Sequence, residues 1–118
     1  MPSSATIWHY PRCSKSRKTL ALLRETDLSI DIRRYLDDPP SAEELRQALD
    51  ALGIDAQELV RKKEDQFKAL NIDEDALDEG DWIDLMVQYP KLIERPVVLT
   101  DEGAILGRPP EAIHSIID

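Results

Sequence analysis

Cys13 is the only cysteine among the 118 residues of this chain, and its surroundings suit a nucleophile. Residues 5–20, ATIWHYPRCSKSRKTL, read as a strand over Ala5–His9, a tight turn over Tyr10–Arg12, the cysteine, and then the first turn of a helix. Between His9 and Lys18 there are four basic residues, Arg12, Lys15, Arg17 and Lys18, and no acidic one. A helix N-terminus adds unpaired N–H groups and partial positive charge. Both features favour a thiolate over a thiol, and an anion beside it. At an ordinary pKa of about 8.5 a thiol is only about 3% ionised at pH 7, whereas at about 6.5 it is roughly three-quarters ionised. The competing reading, a small buried hydrophobe, fits poorly with cations gathered at a helix start.

A reactive thiolate needs a substrate held against it, and three arginines stand out by context. Arg61 is followed by Lys62 and Lys63 and reads as lying on a helix. Arg95 immediately precedes Pro96 and a strand, and Arg108 sits between Gly107 and Pro109 at the end of the next strand. Arg95 and Arg108 therefore bracket a hairpin and could reach one end of a sheet. Guanidinium groups bind oxyanions through paired hydrogen bonds that lysine does not reproduce. His9 is open to two readings, a partner for the thiolate or simply the end of a strand. For Pro96 the X–Pro base rate alone says trans.

The rest of the chain must position these residues. Thr6–His9 is strand one. Ser14 or Ser16 suits a helix N-terminus, and the helix runs to about Thr26 with Thr19, Leu20 and Leu23 on one face. Leu28, Ile30 and Ile32 alternate with polar residues in a second strand ending near Tyr35. Strand, helix, strand in that order makes a βαβ unit with parallel strands. Asp37-Asp38-Pro39-Pro40 is a stop. Ser41-Ala42-Glu43-Glu44 is a capping box, followed by Leu45, Ala48, Leu49 and Leu52 at helical spacing and by Gly53 at the C-terminal cap. Several short helices are expected over 56–89, with Leu59, Val60, Phe67, Leu70 and Leu77 on the apolar side. The last of them, about Glu79–Tyr89, offers Ile83, Met86 and Val87. Val97–Thr100 and Ala104–Gly107 form a hairpin about the turn Asp101-Glu102-Gly103. Pro109-Pro110 opens a final helix that buries Ala112, Ile113, Ile116 and Ile117. The sum is βαβ, a helical insertion over about 41–90, then ββα. It fits an α/β, thioredoxin-like single domain over 1–118, with a four-stranded mixed sheet and helices on both faces.

Composition narrows the function classes. Charged residues make up 33% of the chain and the formal net charge is −9, which argues against nucleic acid as a partner. The acidity lies mostly between Asp37 and Asp81, away from the cysteine. A single cysteine allows no internal disulfide. No secretory apolar segment follows Met1 and no run approaches membrane-spanning length, so a reduced, cytoplasmic setting is the default expectation. No Cys/His cluster has metal-ligand spacing, and the four glycines form no phosphate-cradling loop.

With these residues in view, the whole chain resembles the glutaredoxin-coupled arsenate reductase family of thioredoxin-like proteins. The resemblance rests on His9-x-Pro11-x-Cys13-x-x-Ser16-Arg17 with Thr19-Leu20, on Arg61-Lys62, on Glu94-Arg95-Pro96-Val97-Val98, and on Gly107-Arg108-Pro109. It looks closest to a small housekeeping branch with a Pro-Arg-Cys-Ser-Lys-Ser-Arg signature. The resemblance implies that Cys13 is the nucleophile that forms an arsenic–sulfur bond, and that Arg61, Arg95 and Arg108 bind the oxyanion, with Ser16 grouped beside them. It implies that His9 helps to lower the cysteine pKa and that Pro96 is a cis-proline facing the cysteine. Glutathione would be the co-substrate and glutaredoxin the recycling partner, with no bound cofactor, metal, nucleic acid or membrane. Better-known members carry Asn-Pro-x-Cys-Gly-Thr-Ser-Arg, whereas here Tyr10 replaces the asparagine and Ser14-Lys15 the Gly-Thr pair. Thiol-stress regulators of the same fold typically carry Cys-x-x-Cys, and here Ser16 takes the place of the second cysteine. Two rival expectations are a glutathione-dependent thiol oxidoreductase not specific for arsenate, and a non-catalytic regulator that binds a protein partner.

Overall fold

The computed structural model describes residues 3–117. Residues 1, 2 and 118, which the single-domain reading also spans, lie outside it. The chain divides into two compact units, one built from the segments up to Asp38 and from Arg95 onward, the other from Pro39–Glu94.

The first unit holds the sheet. Its elements are β1 (Ser4–Trp8), α1 (Ser14–Arg24), β2 (Ser29–Arg33), β3 (Val97–Thr100) and β4 (Gly103–Leu106), followed by a 3-10 turn over Pro110–Ile113 and a short helix (His114–Ile117). The strand order is β2-β1-β3-β4. β1 pairs parallel with β2, Ile7 opposite Ile32, and antiparallel with β3, Ile7 opposite Val98. β3 and β4 form the hairpin, Val97 opposite Leu106. The architecture is thus the α/β, thioredoxin-like mixed sheet expected from the alternation of strands and helices. Strand alternation sends Ala5 and Ile7 to one face. There they pack with Leu20 and Leu23 of α1, Val98 of β3, and Ile113 and Ile117 of the C-terminal segment. β2 lies at the sheet edge, and Ile32 is left 39% exposed, so the alternation there marks pairing more than burial. Two further positions differ from the sequence reading. α1 ends at Arg24 rather than Thr26, and the final helix is preceded by a 3-10 turn, in which the Ala112 N–H donates to the Pro109 carbonyl at 2.9 Å.

The second unit is helical: α2 (Ala42–Leu52), α3 (Ala56–Leu59), α4 (Asp65–Leu70) and α5 (Glu79–Gln88). Ser41 closes the capping box with Glu44, and Gly53 ends α2 at φ 69°, in the left-handed region that glycine enters without steric cost. Asp78 and Asp81 form a second, reciprocal capping box at α5. Leu59, Val60 and Phe67 are buried as expected, while Leu70 and Leu77 are half-buried. On α5, Ile83 and Met86 face inward with Trp82, which stacks on Phe67 at 6.2 Å. Val87 is 38% exposed, because at 100° per residue the buried arc runs from Trp82 through Met86 to Ile83 and Val87 falls beyond its edge. Among the described residues no helix is long and apolar enough to cross a membrane.

Candidate functional site

The turn before Cys13 is closed by the Cys13 N–H donating to the Tyr10 carbonyl at 3.0 Å. Cys13 itself is the N-cap of α1, in extended conformation at φ −91° and ψ 123°, and its carbonyl accepts from the Arg17 N–H at 3.0 Å. Neither Ser14 nor Ser16 caps the helix, contrary to the sequence expectation. The cysteine takes that place and brings its sulfur to the unpaired amides of the first turn.

The Cys13 thiol is held below its ordinary pKa. Burial pushes the other way and is the largest single influence. It is outweighed together by the Ser16 N–H, the Arg95 guanidinium acting as donor and as charge, and the Lys15 N–H. The sulfur does not close a full capping hydrogen bond, but these amides still favour its anion. The four local cations singled out in the sequence are not the cause. Arg12, Lys15, Arg17 and Lys18 all project into solvent, where water screens them. The decisive charge comes from Arg95, remote in sequence.

Arg95 is 7% exposed. Its guanidinium lies 4.6 Å from the centroid of the Tyr10 ring and donates through Nη1 to the Tyr35 hydroxyl at 3.4 Å. A stacked, hydrogen-bonded guanidinium has little rotamer freedom left. Tyr10 and Tyr35 thus act as the walls that hold Arg95 toward the thiol. In the sequence Tyr10 stands out only as part of the turn and as the replacement for an asparagine, and Tyr35 only as a strand end. The aromatic in the turn before the cysteine was the available signal.

His9 does something other than supply a positive charge. It is buried, and its Nδ1 lies 2.6 Å from Ser16 Oγ, which also accepts from the Tyr10 N–H at 3.1 Å. Its pKa is lowered, first by burial and then by Arg34, Arg24 and Arg17. The imidazole is therefore neutral at neutral pH and acts through Ser16, whose N–H faces the sulfur. Ser16, fully buried, has its hydroxyl committed to His9 and Tyr10.

Arg108 is exposed and donates through Nη1 to the Arg95 carbonyl at 3.4 Å, so the two arginines that bracket the hairpin do meet. The Arg95–Pro96 peptide is cis, and so is Arg108–Pro109, which nothing in the sequence reading singled out. Gly107 packs tightly between them. A Cβ placed there would lie 2.5 Å from Thr19 Oγ1 and 2.7 Å from Pro96 Cγ. Arg61 belongs to the second unit and, contrary to the sequence expectation of a helix, lies outside any helix. It follows α3 in a loop, because Val60 leaves the helix to bridge Ile93. Its guanidinium pairs with Glu64 at 3.5 Å and with Glu94 at 3.7 Å. No group of three or more His, Cys, Asp or Glu among the described residues could hold a metal ion.

The model of the ArsC family matches residues 8–116. The chain is a member of the ArsC family. This ArsC-family chain is 39% identical to an arsenate reductase of Neisseria meningitidis, over 94% of this chain and 96% of that one. It is 45% identical to the protein YfgD of Escherichia coli K12, covering 99% of both. Among solved structures, an arsenate reductase from Vibrio cholerae superposes with a TM-score of 0.93 at 39% identity, covering 99% of this chain and 100% of that one.

Proposed function

We propose that this protein reduces arsenate to arsenite, with Cys13 as the nucleophile and glutathione and glutaredoxin as the external thiols. The observation that carries the reading is the depressed thiol pKa at a helix N-terminus, with a buried guanidinium turned onto the sulfur. Membership of the ArsC family and similarity to proteins named arsenate reductase support the substrate.

In this mechanism the Cys13 thiolate attacks arsenic, an As–S bond forms, and an As–O bond breaks to release water or hydroxide. Arg95 and Arg108 neutralise the oxyanion and the charge that develops on it. The chain has one cysteine, so the second thiol must come from outside. A glutathione thiolate attacks the Cys13 sulfur, the As–S pair stays on arsenic as arsenite leaves, and a mixed disulfide remains. The sum is one arsenate and two thiols giving arsenite, one disulfide and one water. Glutaredoxin with a further glutathione then returns Cys13 to thiolate.

NADPH consumption coupled through glutathione reductase, with glutathione, glutaredoxin and arsenate, tests the reading directly. Arsenate-dependent turnover in the wild type that is lost in Cys13→Ser is the expected result. One observation favours a second reading, a glutathione-dependent thiol oxidoreductase. Arg95 is already nearly covered by Tyr10 and Tyr35, which leaves little guanidinium surface for an oxyanion. No arsenate-dependent turnover, with Cys13 still rapidly alkylated at neutral pH and low-molecular-weight mixed disulfides reduced, would establish that alternative.

A further inference from the structure

A cleft of about 420 Å³ opens beside α1 and β2, bounded by His9, Leu20 and Ile32 together with the guanidiniums of Arg17, Arg24 and Arg34. A second cleft, also of about 420 Å³, shares His9, Pro11 and Arg34 with it and continues along Tyr10 and Arg12, one residue from the nucleophile. Among the described residues Asp37 is the only carboxylate that lines either one. Among the described residues no carboxylate pairs with Arg17, Arg24 or Arg34. In a chain with 24 acidic and 15 basic residues, three arginines without an acidic partner around one apolar floor is an uneven placement. Arg24 in the last turn of α1 suits the helix dipole, but that does not account for Arg17 or Arg34. All three guanidiniums act on one buried group, His9, which forms part of the wall of both clefts.

We infer that this cleft is the carboxylate-binding subsite for the small peptide thiol that resolves the Cys13 adduct. The inference rests on the reading that an external thiol is needed, which the lone cysteine requires. The chemistry matches a compact tripeptide thiol with a carboxylate at each end. Its two carboxylates meet Arg24 and Arg34 or Arg17, the methylenes of its glutamyl arm lie over Leu20 and Ile32, and its sulfur is directed along Pro11 and Tyr10 toward Cys13. Guanidinium forks bind carboxylates bidentately, and a mostly apolar floor with a few charged groups is the usual make-up of a small-molecule site.

The test is a binding titration that needs no arsenate, so its failure is separable from failure of the reductase reading. S-methylglutathione, which has no free thiol, is titrated into the reduced wild-type protein and followed by amide NMR shifts. The expected result is a saturable shift at Ala21, Arg24, Ile32 and Arg34 that weakens with added salt. It should vanish when both carboxylates of the ligand are esterified. Arg24→Ala and Arg34→Ala should each weaken binding by about 1.4- to fivefold, the range expected for exposed ion pairs. Both arginines are exposed, so unchanged shifts at Ile7 and Val98 will show that the variants remain folded. Shifts confined to residues 12–17, an equal response to the ester, or no loss in either variant would overturn the inference. Tighter binding of a four-glutamate peptide at the same residues would overturn it too, in favour of an acidic protein segment.

Discussion

Replacing Arg95 with methionine removes the guanidinium from the Cys13 sulfur while keeping an unbranched side chain between Tyr10 and Tyr35. Arg95 acts on the thiol both as hydrogen-bond donor and as charge. An opposite charge within about 4–6 Å lowers an acid's pKa by about 1–3 units. Cys13 is half-buried, so water screens part of that effect and the lower end applies, about one unit or about 1.4 kcal/mol. The Ser16 and Lys15 amides remain in the variant, so the thiol should not return all the way to the ordinary value. The assay is the rate of iodoacetamide alkylation as a function of pH, checked by thiolate absorbance near 240 nm. The midpoint should rise by about one unit in Arg95→Met, and the rate well below the midpoint should fall by about tenfold. Arg95→Lys should fall between the two, since it keeps the charge but not the fork. Tyr35→Phe and Tyr10→Leu should shift the midpoint in the same direction by less, because they act only through Arg95. An unchanged midpoint in a folded Arg95→Met protein would refute the reasoning and leave the helix N-terminus as the sole source of activation.

The His9 imidazole is held below its usual 6.5 by burial and then by Arg34, Arg24 and Arg17, so the unfolded chain binds that proton more readily. The stability this neutral form contributes is full above about pH 6.5 and declines as pH falls through that value toward the lower folded pKa. Thermal melts between pH 7.5 and 5 should show this slope in the wild type and a shallower one in His9→Gln; equal slopes would assign the loss to other groups. Gly107→Ala should cost about 1–3 kcal/mol by overpacking, because its Cβ would collide with Thr19 and Pro96. Urea denaturation measures the cost, and an unchanged midpoint would mean the loop yields freely. Ser41→Ala removes one half of the α2 capping box and should lower stability by about 1 kcal/mol without altering Cys13 alkylation. Arg61→Ala should lower kcat/KM for arsenate if the guanidinium meets the oxyanion. A drop in melting temperature alone would confine Arg61 to its pairing with Glu64 and Glu94.

Local chemistry was legible in the sequence wherever it is decided within a turn or two of chain. The capping box at Ser41, the glycine cap at Gly53, the hairpin at Val97–Thr100 and the helix start at Cys13 depend on neighbours in sequence, and the structure has each of them. The order of strands and helices carried the mixed sheet for the same reason, since parallel and antiparallel connections differ in length. The amides that activate the thiol belong to that helix start, but the charge that acts with them was not legible. Arg95 meets Tyr35 across 60 residues of chain, Gly107 lies against Thr19 across 88, and His9 turns to Ser16 rather than to the sulfur. Four cations adjacent to Cys13 in sequence lie in solvent, while one distant cation, desolvated between two tyrosines, acts on the sulfur. Burial sets the strength of a charge, and burial is a property of the packed chain rather than of spacing along it. Residue order supplies the groups and the segments that carry them. Packing selects which of those groups are dry enough, and close enough, to matter.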